Sequence, residues 1–159
     1  MSEQEKQALI SALRLLAATP KSRKGLTQKL ERKGYSQEVL QNILNRLEKQ
    51  GLLNDQVYAQ SLYRSFLTLR PSGRKRIAFE LEKKGIGSAL IRSLLDEYSP
   101  ETERENAWQV AEEKYNRWIK LDAKKRRKKI YDFLVRRGFD FVLAREVVEK
   151  LDRKMACDF

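Results

Sequence analysis

Apolar residues recur at helical spacing on both sides of three glycines in this chain, Gly34, Gly85 and Gly138. Four residues before each glycine stand Leu30, Leu81 and Leu134, and eight before it stand Leu26, Ile77 and Ile130. Tyr35, Ile86 and Phe139 follow directly; Val39, Leu90 and Leu143 come next, then Ile43, Leu94 and Val147, each with an apolar neighbour in Leu44, Leu95 and Val148. Such spacing gathers each set on one helical face and leaves the intervening polar positions to solvent. Glycine between two stripes marks a helix end, because the residue just past a helix commonly takes the left-handed conformation that glycine adopts without steric cost. The pattern predicts a helix before and after each glycine, with Ser36, Ser88 and Asp140 placed to cap the later one.

A further amphipathic segment precedes each pair, over roughly residues 3–18, 55–69 and 101–120. Ser99 followed by Pro100 is a strong start signal for the last of these, and Asn54 or Asp55 serves the middle one. No stretch alternates with period two long enough to make a strand. The glycines lie 51 and 53 residues apart, a period at which each repeat is one supersecondary unit that needs its neighbours to complete a core. The expected fold is therefore all-α: three tandem three-helix repeats forming an elongated, curved molecule, with repeats at residues 1–54, 55–99 and 100–159.

Little in the composition supports catalysis. The chain has no histidine and a single cysteine, Cys157, so the usual acid–base group is missing and neither an internal disulfide nor a zinc site of the common kind can form. No glycine cluster fits a phosphate loop, since Gly85 and Gly87 lack a third partner. Glu101, Glu103, Glu105, Glu112 and Glu113 read as a solvent-facing row whose early members suit the helix dipole. Trp108, Ala111, Tyr115 and Trp118 read as a packed face, as do Tyr58, Leu62 and Phe66. No catalytic residue, metal or cofactor is expected. The N-terminus carries no apolar signal core and no apolar run approaches the ~20 residues of a membrane span, so a cytoplasmic protein without membrane contact is expected.

Charge changes the picture more. The net charge is +12, and its excess concentrates on residues 21–33, 70–84 and 124–137, the segment before each glycine. Arg32, Lys33, Lys83, Lys84, Arg136 and Arg137 sit in last turns, where cations favour the dipole. Lys21, Arg23 and Lys24, then Arg70, Arg74, Lys75 and Arg76, then Lys124, Lys125, Arg126, Arg127, Lys128 and Lys129 stand at or before first turns, where positive charge opposes it. Binding of an anion explains these thirteen better, since amide groups at a helix start already favour phosphate. On this reading they form a stripe for a polyanion, and replacing Arg74, Lys75 and Arg76 should leave folding intact. A helix–glycine–helix unit also suggests a base-reading helix-turn-helix, but the helices after the glycines are near neutral, which points to backbone phosphates or an acidic protein surface.

Several segments resemble the RecX family, small regulators of the RecA recombinase. Gly51-Leu52-Leu53-Asn54-Asp55-Gln56-Val57-Tyr58-Ala59 is similar to a family motif, although Leu52 stands where the family often has tyrosine. Gly73-Arg74-Lys75-Arg76-Ile77, leading into Glu80-Leu81-Glu82-Lys83-Lys84-Gly85-Ile86, resembles another, with Pro71 as a departure in the preceding loop. Lys29 to Tyr35 and Phe133 to Phe139 match the corresponding patterns of the first and third repeats. The resemblance covers nearly the whole chain. It implies a non-enzymatic, cytoplasmic protein, expected as a monomer, that binds the RecA–DNA filament and restrains its ATPase, recombination and coprotease activities. The charge pattern by itself leaves open a stand-alone binder of single- or double-stranded DNA, or a helical scaffold for acidic proteins.

Overall fold

Local chemistry starts and stops each helix in the computed structural model, which describes residues 1–158. The elements are α1 Glu3–Ala18, α2 Arg23–Arg32, α3 Gln37–Lys49, α4 Asp55–Thr68, α5 Arg74–Lys83, α6 Ser88–Asp96, α7 Pro100–Arg117, α8 Ala123–Arg136 and α9 Phe141–Cys157, with no strand among the described residues. Ser2 and Glu5 close a reciprocal capping box on α1. Ser22, Ser36, Ser99, Asp122 and Asp140 accept backbone N–H groups at the starts of α2, α3, α7, α8 and α9, and Asn54 does so for Val57 in α4.

Two boundaries depart from expectation. Ser88 is the first residue of α6 rather than its cap, because the Gly87 carbonyl already accepts from the Ile91 N–H. The helix expected to reach residue 120 ends at Arg117: Trp118 takes its C-cap position and a turn closes from Leu121 N–H to the Trp118 carbonyl.

Gly34, Gly85 and Gly138 have φ of 92°, 86° and 87°. At the ends of α5 and α8 the N–H of the residue after glycine, Ile86 or Phe139, reaches back to the carbonyl of Leu81 or Leu134 at 3.0 and 3.1 Å. That bond and the buried apolar residue donating it define the Schellman stop. The six aliphatics before the glycines are all between 0% and 2% exposed.

Packing groups the helices into two compact units, residues 1–62 with 81–91, and residues 63–80 with 92 onward. The middle repeat contributes to both. In the first unit α1, α2 and α3 pack on one another, with Ala8 and Ala12 of α1 meeting Leu26, Leu30, Leu40, Ile43, Leu44 and Leu47. In the second, Ala107 and Ala111 of α7 meet Ile130 and Leu134 of α8 and Val147 and Leu151 of α9. Small residues at i and i+4 on the first helix of each group admit the large aliphatics of the other two. Tyr115 is buried in this second core, and Trp108 and Trp118 pack partly buried against it.

Candidate anion-binding surface

The starts of α2 and α5 face carboxylates of the chain itself. The Arg23 N–H donates to Asp55 Oδ1 at 2.8 Å, and the Arg74 N–H donates to Glu103 Oε1 at 3.0 Å. In both cases the first helix of the following repeat supplies the anion that a helix start attracts. Glu103 is only 6% exposed, so the reading that placed it in a solvent-facing row is corrected. Asp122 does the same work within its own repeat, accepting from Lys125 N–H at 3.4 Å.

Arg74 is the centre of a partly buried network. Its Nε donates to Glu103 Oε2 at 2.7 Å and its Nη2 to the Tyr98 carbonyl at 2.6 Å, while the guanidinium lies 5.5 Å from the centre of the Tyr98 ring. The Tyr98 hydroxyl donates to the Ser72 carbonyl at 2.9 Å. Burial, opposed by a hydrogen bond from Asn106 and reinforced by the Glu103 charge, pushes the Tyr98 phenol up to about 12. The expectation that first-turn cations are dispensable for folding therefore fails at Arg74. A charge that opposes its own helix dipole is here matched by a carboxylate from another helix.

Other members of the thirteen divide by partner. Lys21 donates to the carbonyls of Leu15 and Thr19, both at 3.0 Å, closing the end of α1. Arg23 pairs with Glu48 at 2.9 Å, Lys75 with Asp140 at 3.0 Å, Arg127 with Asp152 at 2.7 Å and Lys128 with Asp132 at 3.0 Å. Arg76 joins Glu80 and the Arg136 carbonyl. Arg126 donates to the carbonyls of Ile119 and Leu121 and lies over the Tyr115 ring, while Lys129 lies over Trp118. Lys24, Arg70, Lys124 and Lys125 remain exposed, with no side-chain hydrogen bond or ion pair among the described residues. Lys124 and Lys125 are adjacent at the start of α8.

Of the last-turn cations, Arg137 is half-buried and donates to the Pro71 carbonyl at 2.8 Å. Its guanidinium is held below its ordinary value by burial, then by the charges of Arg76 and Arg70. Local spacing marks Asp55 as a local cap and Glu103 as a surface acid, and gives no sign that each anchors the basic segment of another repeat.

These features define an all-helical tandem-repeat protein with exposed cations at helix starts. Three family models match in order along the chain: "RecX, first three-helix domain" over residues 8–47, "RecX, second three-helix domain" over 54–95 and "RecX, third three-helix domain" over 101–148. A protein named Regulatory protein RecX from Chlorobium phaeobacteroides is 34% identical over 149 residues, covering 94% of this chain and 96% of that one. Its namesake from Clostridium perfringens is 32% identical over 143 residues, 89% of this chain and 66% of that longer protein. The crystal structure of RecX from Lactobacillus salivarius matches with a TM-score of 0.80 at 26% identity, covering 96% of this chain and 99% of that one. The chain belongs to the RecX family. No described helix is long and apolar enough to cross a membrane.

Proposed function

We propose that this protein is a non-enzymatic, cytoplasmic regulator, acting as a monomer, that binds the RecA–DNA filament and inhibits its ATPase, recombinase and coprotease activities. Membership of the RecX family is the observation that carries the regulatory reading. The interface is assigned to the exposed basic surface, led by the unpaired Lys124 and Lys125 at the start of α8, with Lys24 and Arg70 in support. The cations already paired inside the protein contribute field more than direct bonds. Phosphate contacts of this kind position a partner without reading its sequence.

The test measures binding to single-stranded DNA, bare and coated with RecA, at one salt concentration, together with DNA-dependent ATP hydrolysis by RecA. The expected result is tighter binding to the coated strand and ATP hydrolysis that falls as the protein is added, with no nucleotide hydrolysis by the protein alone. Equal affinity for bare and coated DNA with unchanged RecA turnover would replace the reading with that of a stand-alone nucleic-acid binder.

A further inference from the structure

Cations in the last turns of α2 and α5 are explained by the helix dipole alone, but their placement in the first unit goes further. Ser22, 1% exposed, accepts the Gly25 N–H at 3.0 Å and donates to the Lys84 carbonyl at 2.5 Å. The end of α5 is thereby held against the start of α2. Gly85 permits the approach, since a Cβ there would lie 2.8 Å from Ser22 Oγ.

The joint encloses a pocket of about 220 Å³ lined by Lys21, Lys29, Arg32, Lys83 and Lys84, with Tyr58 on its wall and no carboxylate among its lining residues. That volume is below the ~300–1,000 Å³ of pockets that bury drug-sized ligands, and it suits a compact charged group. The side chains of Lys29, Arg32, Lys83 and Lys84 make no hydrogen bond or ion pair among the described residues. Like charges around one concavity repel one another: burial first, and then the charges of Lys29 and Lys84, hold the Lys21 ammonium below its ordinary value. An anion relieves that repulsion.

A second concavity of about 680 Å³ shares Lys21, Tyr58 and Lys84 with the first and adds Leu16, Leu52 and Val57. Leu52 and Val57 are 53% and 64% exposed, so this apolar wall is uncovered. Tyr58, placed by its spacing on a packed face, thus stands half-buried where a basic pocket meets an apolar groove.

We infer that the two joined concavities bind one nucleotide unit of single-stranded DNA, its phosphate among the five cations and its base against Tyr58, Leu52 and Val57. A basic groove beside an aromatic platform is the general means of holding a single strand, and it tolerates any base because every base has a stacking face. An acidic peptide satisfies the cations but leaves the aromatic unused. A duplex keeps its bases stacked and paired, and taking one out to fill the groove costs free energy. The inference concerns bare DNA and stands apart from the recombinase reading.

Fluorescence-anisotropy titration of the full chain with a labelled oligothymidylate, and with a duplex of equal length, tests the site across a salt series. Tyr58→Leu keeps apolar bulk and removes the ring; it should weaken single-strand binding on the order of 5- to 100-fold, with duplex binding and the salt slope unchanged. Tyr58→Phe should restore the affinity. Lys29→Ala combined with Lys83→Ala, both at exposed positions, should lower the affinity and reduce the slope of log K against log salt by roughly 0.7 for each phosphate no longer neutralised. If Tyr58→Leu binds as the parent does and poly-glutamate competes as well as the oligonucleotide, the site is a docking surface for an acidic protein segment and the inference is overturned. Parallel losses on duplex and single strand in the Tyr58→Leu variant would overturn it as well.

Discussion

Arg74 and Lys124 carry the same charge near the start of equivalent helices, yet the first is committed to partners within the chain and the second is not. Arg74 holds Glu103 through both backbone and side chain, so truncating it to alanine leaves a nearly buried carboxylate with the backbone N–H but without its cationic partner. Breaking such a pair costs more than the pair contributes net, because the remaining charge is stranded. Arg74→Ala should cost about 2–4 kcal/mol in denaturant unfolding, and Glu103→Gln about 1–3 kcal/mol. Lys75→Ala, which breaks an exposed pair with Asp140, should cost about 0–1 kcal/mol. If Arg74→Ala unfolds at the same denaturant concentration as Lys75→Ala, the network contributes nothing special and the cation is surface charge after all. None of this was legible in local spacing. Asp55 and Glu103 do equivalent work at different offsets, 21 residues after Gly34 and 18 after Gly85, so aligning the repeats does not superpose them. An acid early in a helix already has a good local explanation in the dipole, which hid the long-range one.

At the level of elements the helical period and the glycines were readable because both are local: one face of each helix is apolar, and each stop needs a left-handed residue. The repeats are also joined by a recurring contact that sequence does not display. The start of α2 meets the end of α5 through the Ser22 hydroxyl and the Lys84 carbonyl, and the start of α5 meets the end of α8 through the Gly73 N–H and the Arg137 carbonyl at 2.8 Å. One joint uses a side chain and the other uses bare backbone, so the two look unrelated in the alignment. The consequence is that equivalent glycines are unequal. A Cβ on Gly34 would meet nothing within 4 Å, whereas one on Gly138 would lie 2.3 Å from the Arg76 nitrogen. Gly34→Ala should therefore cost only the left-handed backbone strain, about 1–2 kcal/mol. Gly138→Ala should cost clearly more, because two backbones must separate. Equal losses in thermal or denaturant unfolding would show that the joint yields easily and that conformation alone selects glycine at these stops.

Across the whole molecule, 34 basic residues face 22 acidic ones, and the acids are spent unevenly. Asp55 and Glu103 cap α2 and α5, while Glu48, Asp140, Asp152 and Asp132 pair with cations of the basic segments. Among the unpaired cations, which also include Lys24 and Arg70, two groups lie in different units: Lys29, Arg32, Lys83 and Lys84 in the first, Lys124 and Lys125 in the second. Composition reported the excess charge, but only the pairing shows which cations are available. On the proposed reading of both groups as DNA contacts, a strand long enough to reach both should bind more tightly than a short one, because binding at the first raises the effective concentration of DNA at the second. An oligonucleotide of a few nucleotides should engage only one site, and one several times longer should engage both. Lys124→Ala with Lys125→Ala should therefore weaken binding to the longer strand more than to the shorter, and should reduce its salt slope by roughly 0.7 for each phosphate left without its cation. Combined with Lys29→Ala and Lys83→Ala, the reductions in slope on the long strand should add, since the two groups share no partner. Unchanged affinity and slope for the long strand in the Lys124 and Lys125 variant would make the start of α8 a solvated surface.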